Sequence, residues 1–67
     1  MKINVNGQES DIENGYTLSG YLNNIGITGH SSIVIEYNGE ILRCGGFEAV
    51  DLKDGDNIEI FRFMAGG

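Results

Sequence analysis

Two Asn-Gly dipeptides, Asn6-Gly7 and Asn38-Gly39, constrain this chain more than any other feature, because each sits between two short runs of strand character. A two-residue hairpin loop of type I′ needs positive φ at both central positions, which asparagine followed by glycine tolerates best. Lys2-Ile3-Asn4-Val5 alternates polar and apolar residues ahead of the first turn, so strand, turn and strand are predicted over about residues 1–12. Ile33-Val34-Ile35-Glu36-Tyr37 is a β-rich run ahead of the second, and Glu40-Ile41-Leu42 returns from it. Between the hairpins Asn14-Gly15 breaks the chain. Thr17 then stands at an N-cap position before Leu18, Tyr21, Leu22 and Ile25, whose spacing puts them on one helical face. Gly20 inside that helix costs about 1 kcal/mol relative to alanine, so the helix depends on packing its apolar face against a sheet. Gly26 and Gly29 end it. After an irregular segment around Gly45, Gly46 and Phe47, Asp54-Gly55-Asp56 marks a turn, and a final strand is predicted over 58–63. The sum is an α+β domain with one helix on one face of a sheet.

No linker, repeat or low-complexity stretch divides the 67 residues, so residues 1–67 are read as a single domain. A chain this short buries only about 60% of the surface its unfolded form exposes, and stability is expected to be modest. The lone cysteine, Cys44, has no partner for an internal disulfide or a structural zinc site. Ten acidic against four basic residues give a formal charge of −6, which repels phosphate backbones and anionic headgroups; neither nucleic acid nor membrane is an expected partner. No charged-then-apolar leader or bilayer-length apolar run is seen, and the cytoplasm is the expected location.

Catalytic constellations are not evident. His30, flanked by Gly29, Ser31 and Ser32, reads as a polar loop residue. Asp51, Asp54 and Asp56 superficially resemble a calcium loop, but the ligand spacing and closing glutamate of an EF-hand are missing, so they read as turn formers and no metal is expected. Gly26-x-x-Gly29 and Gly45-Gly46 lack a P-loop lysine and the dinucleotide fingerprint. Arg43 beside Cys44 is able to lower the thiol pKa, although a passive cysteine is the simpler reading.

The positive signal is at the other end. Ala65-Gly66-Gly67 closes the sequence in a ribbon thin enough for a narrow active site, with 64–67 read as a flexible tail spanning about 13 Å when extended. A frayed end is the plain alternative. In the preceding strand, Ile58, Ile60 and Arg62 alternate with Glu59, Phe61 and Phe63. If the isoleucines face the helix, Phe61 and Phe63 lie on the uncovered face beside Met64, as a candidate partner surface or as residues packed on neighbouring strands.

Asp54-Gly55-Asp56-Asn57-Ile58-Glu59-Ile60 followed by Ala65-Gly66-Gly67, with the hairpin Asn38-Gly39-Glu40-Ile41 upstream, is similar to the ThiS branch of the sulfur-carrier proteins, the ThiS/MoaD family. The resemblance covers nearly the whole chain. Members often carry Pro-Arg shortly after the second hairpin, where this chain has Arg43-Cys44, and their helix is usually richer in charge. The resemblance implies a ubiquitin-like β-grasp fold with a mixed sheet. It also implies a carrier rather than an enzyme. A ThiF-like adenylating enzyme would use ATP to activate Gly67, and a cysteine desulfurase relay would supply sulfur to form a thiocarboxylate. A ThiG-like thiazole synthase would then take that sulfur for the thiazole ring of thiamin. No permanently bound cofactor is implied. Gly67 would carry the sulfur, Ala65 and Gly66 would keep the approach narrow, and Phe61, Phe63 and Met64 would anchor partners. Carriage for molybdopterin synthase or another sulfur pathway, a ubiquitin-like modifier ending in an isopeptide bond, and a plain interaction module remain alternatives.

Overall fold

The computed structural model describes residues 1–43 and 45–62. Its elements are β1 (Lys2–Val5), β2 (Gln8–Asp11), α1 (Leu18–Asn24), a 3-10 turn at His30–Ser32, β3 (Ile33–Tyr37), β4 (Glu40–Arg43), a second 3-10 turn at Phe47–Ala49, and β5 (Asn57–Arg62). Both Asn-Gly pairs take the expected geometry, with φ of 51° and 82° at Asn6 and Gly7 and 49° and 89° at Asn38 and Gly39. Val5 pairs with Gln8 and Tyr37 with Glu40, which leaves two-residue loops.

The strands form one sheet in the order β2-β1-β5-β3-β4. β5 lies in the centre, parallel to β1 and antiparallel to β3. A parallel pair cannot be joined by a tight turn, and here the helix and the second hairpin lie between the two strands in sequence. The final strand begins at Asn57, one residue earlier than expected, and its predicted last residue, Phe63, lies outside the described residues.

Thr17 caps α1 as its position predicts, its Oγ1 accepting from the Gly20 N–H at 3.0 Å. Gly20 therefore sits in the first turn, where an added Cβ would lie 3.2 Å from Thr17 Oγ1. The helix stops at Asn24 because Gly26, with φ 91°, turns the chain into a left-handed cap. The Gly26 N–H donates to the Asn23 carbonyl and the Ile27 N–H to that of Leu22, the Schellman arrangement. This corrects the expectation for Ile25. The residue falls at the cap rather than on the buried face and is 44% exposed, while Ile27, past the glycine, packs against the core.

That core comprises Ile3, Leu18, Tyr21, Leu22, Ile33, Ile35, Phe47, Leu52 and Ile58, and Ile60 packs against it. Burying each large apolar side chain contributes about 1.5–3 kcal/mol, which is what holds so short a helix in place. Phe47 closes one side of the core from the segment read as irregular. The His30 ring stands 5.7 Å from it, with Nε2 donating to the Ile27 carbonyl at 2.8 Å.

Candidate functional site

The chain leading to 63–67 is β5, and three side chains set how that strand is held. At its start, Asn38 donates its N–H to the Asn57 carbonyl and accepts from the Asn57 N–H through Oδ1, at 2.9 and 2.8 Å. Its Nδ2 donates to Asp56 Oδ1 at 3.1 Å, while Asp56 Oδ2 accepts from the Tyr37 hydroxyl at 2.6 Å and the Lys53 N–H at 2.7 Å. Asp56 is only 6% exposed, so it is a structural latch rather than a simple turn residue. Burial by itself pushes its carboxyl pKa up, but the hydrogen bonds from Tyr37, Asn38 and Lys53, with the lysine charge, outweigh it and leave the net value below the usual range. Burial, the hydrogen bond to Asp56 and the charges of Asp56 and Asp51 push the Tyr37 hydroxyl to about 12.

Further along β5, Asn6 donates its N–H to the Ile58 carbonyl at 2.9 Å and accepts from the Ile60 N–H through Oδ1 at 2.7 Å. β1 pairs with β5 no further than Val5 and Ile58, so the Asn6 side chain continues its work one step past the ladder. β3 stays paired to the end of β5, Val34 with Phe61 and Ile33 with Arg62. β5 thus leaves the sheet held from the β3 side.

Residues directly opposite across a ladder share a face, and the observed register therefore defines the sheet face that α1 does not cover. It carries Phe61 and Glu59 from β5, Val34 and Glu36 from β3, and Ile41 and Arg43 from β4. Phe61 is 45% exposed, Ile41 is 56% exposed and Val34 is half-buried, which makes a small apolar patch on three adjacent strands. Glu36 and Glu59 face each other directly on it, and the ion pair found among the described residues joins Lys2 and Glu9 instead. Like charges directly opposite on a sheet repel, at up to about 1 kcal/mol. Arg62 points to the helix side, as the alternation predicts. There it lines a shallow groove of about 360 Å³ with Gly26, Ile27, Thr28, Gly29, Ser32 and Ile33.

Of the expected site residues, Phe61 lies on the uncovered face beside the end of the sheet. Phe63, Met64, Ala65, Gly66 and Gly67 lie outside the described residues, as does Cys44. Val34 and Ile41 were not singled out from the sequence. Their alternation was visible, but which neighbours share their face depends on a cross-strand register that no local pattern carries. Asp51, Asp54 and Asp56 serve separate ends: the Asp51 backbone pairs with that of Thr17 in an isolated antiparallel bridge, the Asp54 side chain accepts from the Lys2 N–H, and the Asp56 side chain forms the latch. Among the described residues no group of three metal-binding side chains is assembled, and no helix is long and apolar enough to cross a membrane.

Comparison with known proteins gives these features a context. A family model described as the ThiS family matches residues 3–67. The chain is 36% identical over 67 residues to a thiazole synthase of Magnetococcus marinus and 31% identical to one of Paramagnetospirillum magneticum. In both cases all of this chain is covered but only 20% of the relative, so the chain spans about a fifth of their length. Among solved structures, it is similar to the crystal structure of the thiamine biosynthesis protein ThiS from Geobacter metallireducens, with a TM-score of 0.82, 32% identity and full coverage of both chains. The solution structure of a thiamine biosynthesis protein from the same organism matches with a TM-score of 0.79 and 32% identity, over all of this chain and 88% of that one. The five-stranded mixed sheet with one helix is accordingly the ubiquitin-like β-grasp fold that the resemblance implied.

Proposed function

The chain belongs to the ThiS family, the sulfur carriers of thiamine biosynthesis, and on that premise we propose that it carries sulfur as a thiocarboxylate on Gly67. A main-chain carboxylate has a pKa near 3.5, is ionised at neutral pH and resists nucleophiles, so it must first be activated. The proposed course is adenylation of Gly67 by a ThiF-like enzyme, which consumes ATP and releases pyrophosphate. Attack by a persulfide from a cysteine desulfurase relay expels AMP and leaves an acyl disulfide, which a thiol reduces to the thiocarboxylate. The thiocarboxylate then delivers sulfur to a ThiG-like thiazole synthase in the cytoplasm. The chain itself performs no catalysis. It contributes an acyl group, a tail (Ala65, Gly66) without bulky side chains and a face on which partners dock.

The observation that carries this reading is the family match over nearly the whole chain, joined to the matches with longer proteins named thiazole synthase. A segment resembling this chain within a thiazole synthase argues that the two units work on one another, in cis there and in trans here. The uncovered sheet face supplies a physical basis for docking. An apolar centre of Phe61, Val34 and Ile41 would give affinity, Phe63 and Met64 would extend it, and Glu36 and Glu59 would select a partner surface carrying lysine or arginine.

Intact-mass spectrometry tests it directly. After incubation with ATP, the adenylating enzyme, a cysteine desulfurase, cysteine and a thiol reductant, one oxygen of the chain should be exchanged for sulfur, localised to Gly67 by fragmentation. No exchange, with an enzyme shown to act on a control carrier, would refute sulfur carriage. Recovery of the large molybdopterin synthase subunit in place of thiazole synthase on an immobilised carrier would move the pathway elsewhere.

A further inference from the structure

The chain contains three Asn-Gly pairs, of which the fold puts two to work, and we propose that the third, Asn14-Gly15, is its site of spontaneous deamidation. An asparagine before glycine is prone to this reaction because no side chain on the next residue hinders approach of its backbone nitrogen. The Gly15 nitrogen attacks Asn14 Cγ and forms a ring C–N bond. The bond from Cγ to the amide nitrogen breaks, and that nitrogen leaves as ammonia with the proton lost by the Gly15 N–H. Water then opens the succinimide at either carbonyl and leaves aspartate or the β-linked isoaspartate. Water is the sole co-reactant, and the product adds one negative charge to a chain of formal charge −6.

For attack, the asparagine side chain must swing until Cγ meets the following nitrogen. At Asn6 that motion breaks the hydrogen bond from the Ile60 N–H to Oδ1. At Asn38 it breaks two, from the Asn57 N–H and to Asp56 Oδ1, and the second ends on a buried carboxylate. Asp54-Gly55, which reaches the same ring from an aspartate, is held as well: Asp54 Oδ1 accepts from the Lys2 N–H and the Gly55 N–H donates to the Lys2 carbonyl. Asn14 is exposed, and among the described residues its side chain makes no hydrogen bond. An added Cβ at Gly15 would meet nothing within 4 Å, so the turn is open on that side as well. The hydrogen bonds that organise β5 therefore also shield two reactive dipeptides, and Asn14 has no such shield.

The full chain, folded in mildly alkaline buffer and in parallel unfolded in urea, would be sampled over time, digested and mapped by mass spectrometry with separation of isoaspartyl peptides. The ratio of the unfolded to the folded rate at each site removes the effect of flanking residues. That ratio should be lowest at position 14, larger at position 6 by about two- to tenfold for its one hydrogen bond, and larger again at position 38. A ratio at position 14 equal to or above those at 6 and 38 would overturn the proposal.

Discussion

Replacing Asp56 by asparagine tests the latch at the start of β5. The substitution preserves shape and removes the charge. In the wild type Oδ2 receives the Tyr37 hydroxyl and the Lys53 N–H, and Oδ1 receives Asn38 Nδ2. The new amide has one oxygen, which serves the first two donors, and its NH₂ then meets the Asn38 NH₂ donor to donor. Asn38 cannot relieve this by flipping, because its Oδ1 is engaged by the Asn57 N–H. One charge-assisted hydrogen bond is lost and two are weakened at a site almost closed to solvent. Hydrogen bonds to charged groups contribute about 1.5–3 kcal/mol each, so a loss of about 2–3 kcal/mol is expected. Single domains have about 0.05–0.15 kcal/mol of stability per residue, so this chain has roughly 3–10 kcal/mol in all and the latch is a large share of it. In a domain of this size the melting temperature should fall by roughly 10–20 °C, read by far-ultraviolet circular dichroism alongside urea titration. The acid limb offers a second readout. The folded-state pKa of Asp56 is depressed, so its contribution is present above the ordinary carboxylate range and is lost as the pH falls through the folded value. The variant should lack that part of the acid destabilisation. A loss under about 0.5 kcal/mol with an unchanged acid limb would refute the latch, since exposed substitutions stay within that range.

Four further outcomes are expected. Tyr37→Phe should remove the alkaline destabilisation that accompanies ionisation of this hydroxyl: its folded pKa is raised from 10.0 to about 12, so its stabilisation is complete below the lower value and fades as pH rises toward the upper one, which denaturation across that window would show. Glu59→Lys should stabilise the fold by about 0.2–1 kcal/mol by giving Glu36 an opposite charge across the ladder, yet weaken capture of thiazole synthase; equal or tighter capture would remove the glutamates from the docking account. Phe61→Ser together with Ile41→Ser should leave the melting temperature nearly unchanged, both being substantially exposed, and weaken partner affinity by at least about tenfold in a binding titration. Gly66→Val should still fold and should suppress adenylate formation, followed as ATP–pyrophosphate exchange; wild-type turnover would argue against a tail threaded into a narrow channel.

Much of this architecture is readable along the chain because it rests on local chemistry. Positive φ at Asn6, Gly7, Asn38 and Gly39 is a property of those dipeptides, and the Thr17 cap and the Leu18, Tyr21 and Leu22 stripe follow from backbone hydrogen bonding and helical repeat. The boundary at Ile25 was misread because spacing extends a stripe past the point where a glycine cap stops it. The segment around Phe47 reads as irregular and gives no sign that this side chain is buried, because a single aromatic among glycines has no periodicity.

The amino-acid order alone thus specifies two hairpins, a capped helix, a last strand and an acidic composition, and it carries the likeness to the ThiS family, since each of these depends on neighbours in the chain. The pairing of β5 between β1 and β3, the second use of Asn6 and Asn38 as clamps on that strand, the burial of Asp56 and the gathering of Phe61, Val34 and Ile41 on one face come from contacts between residues far apart in sequence. Those contacts follow from register and from the closing of the core, which are fixed when the whole chain packs.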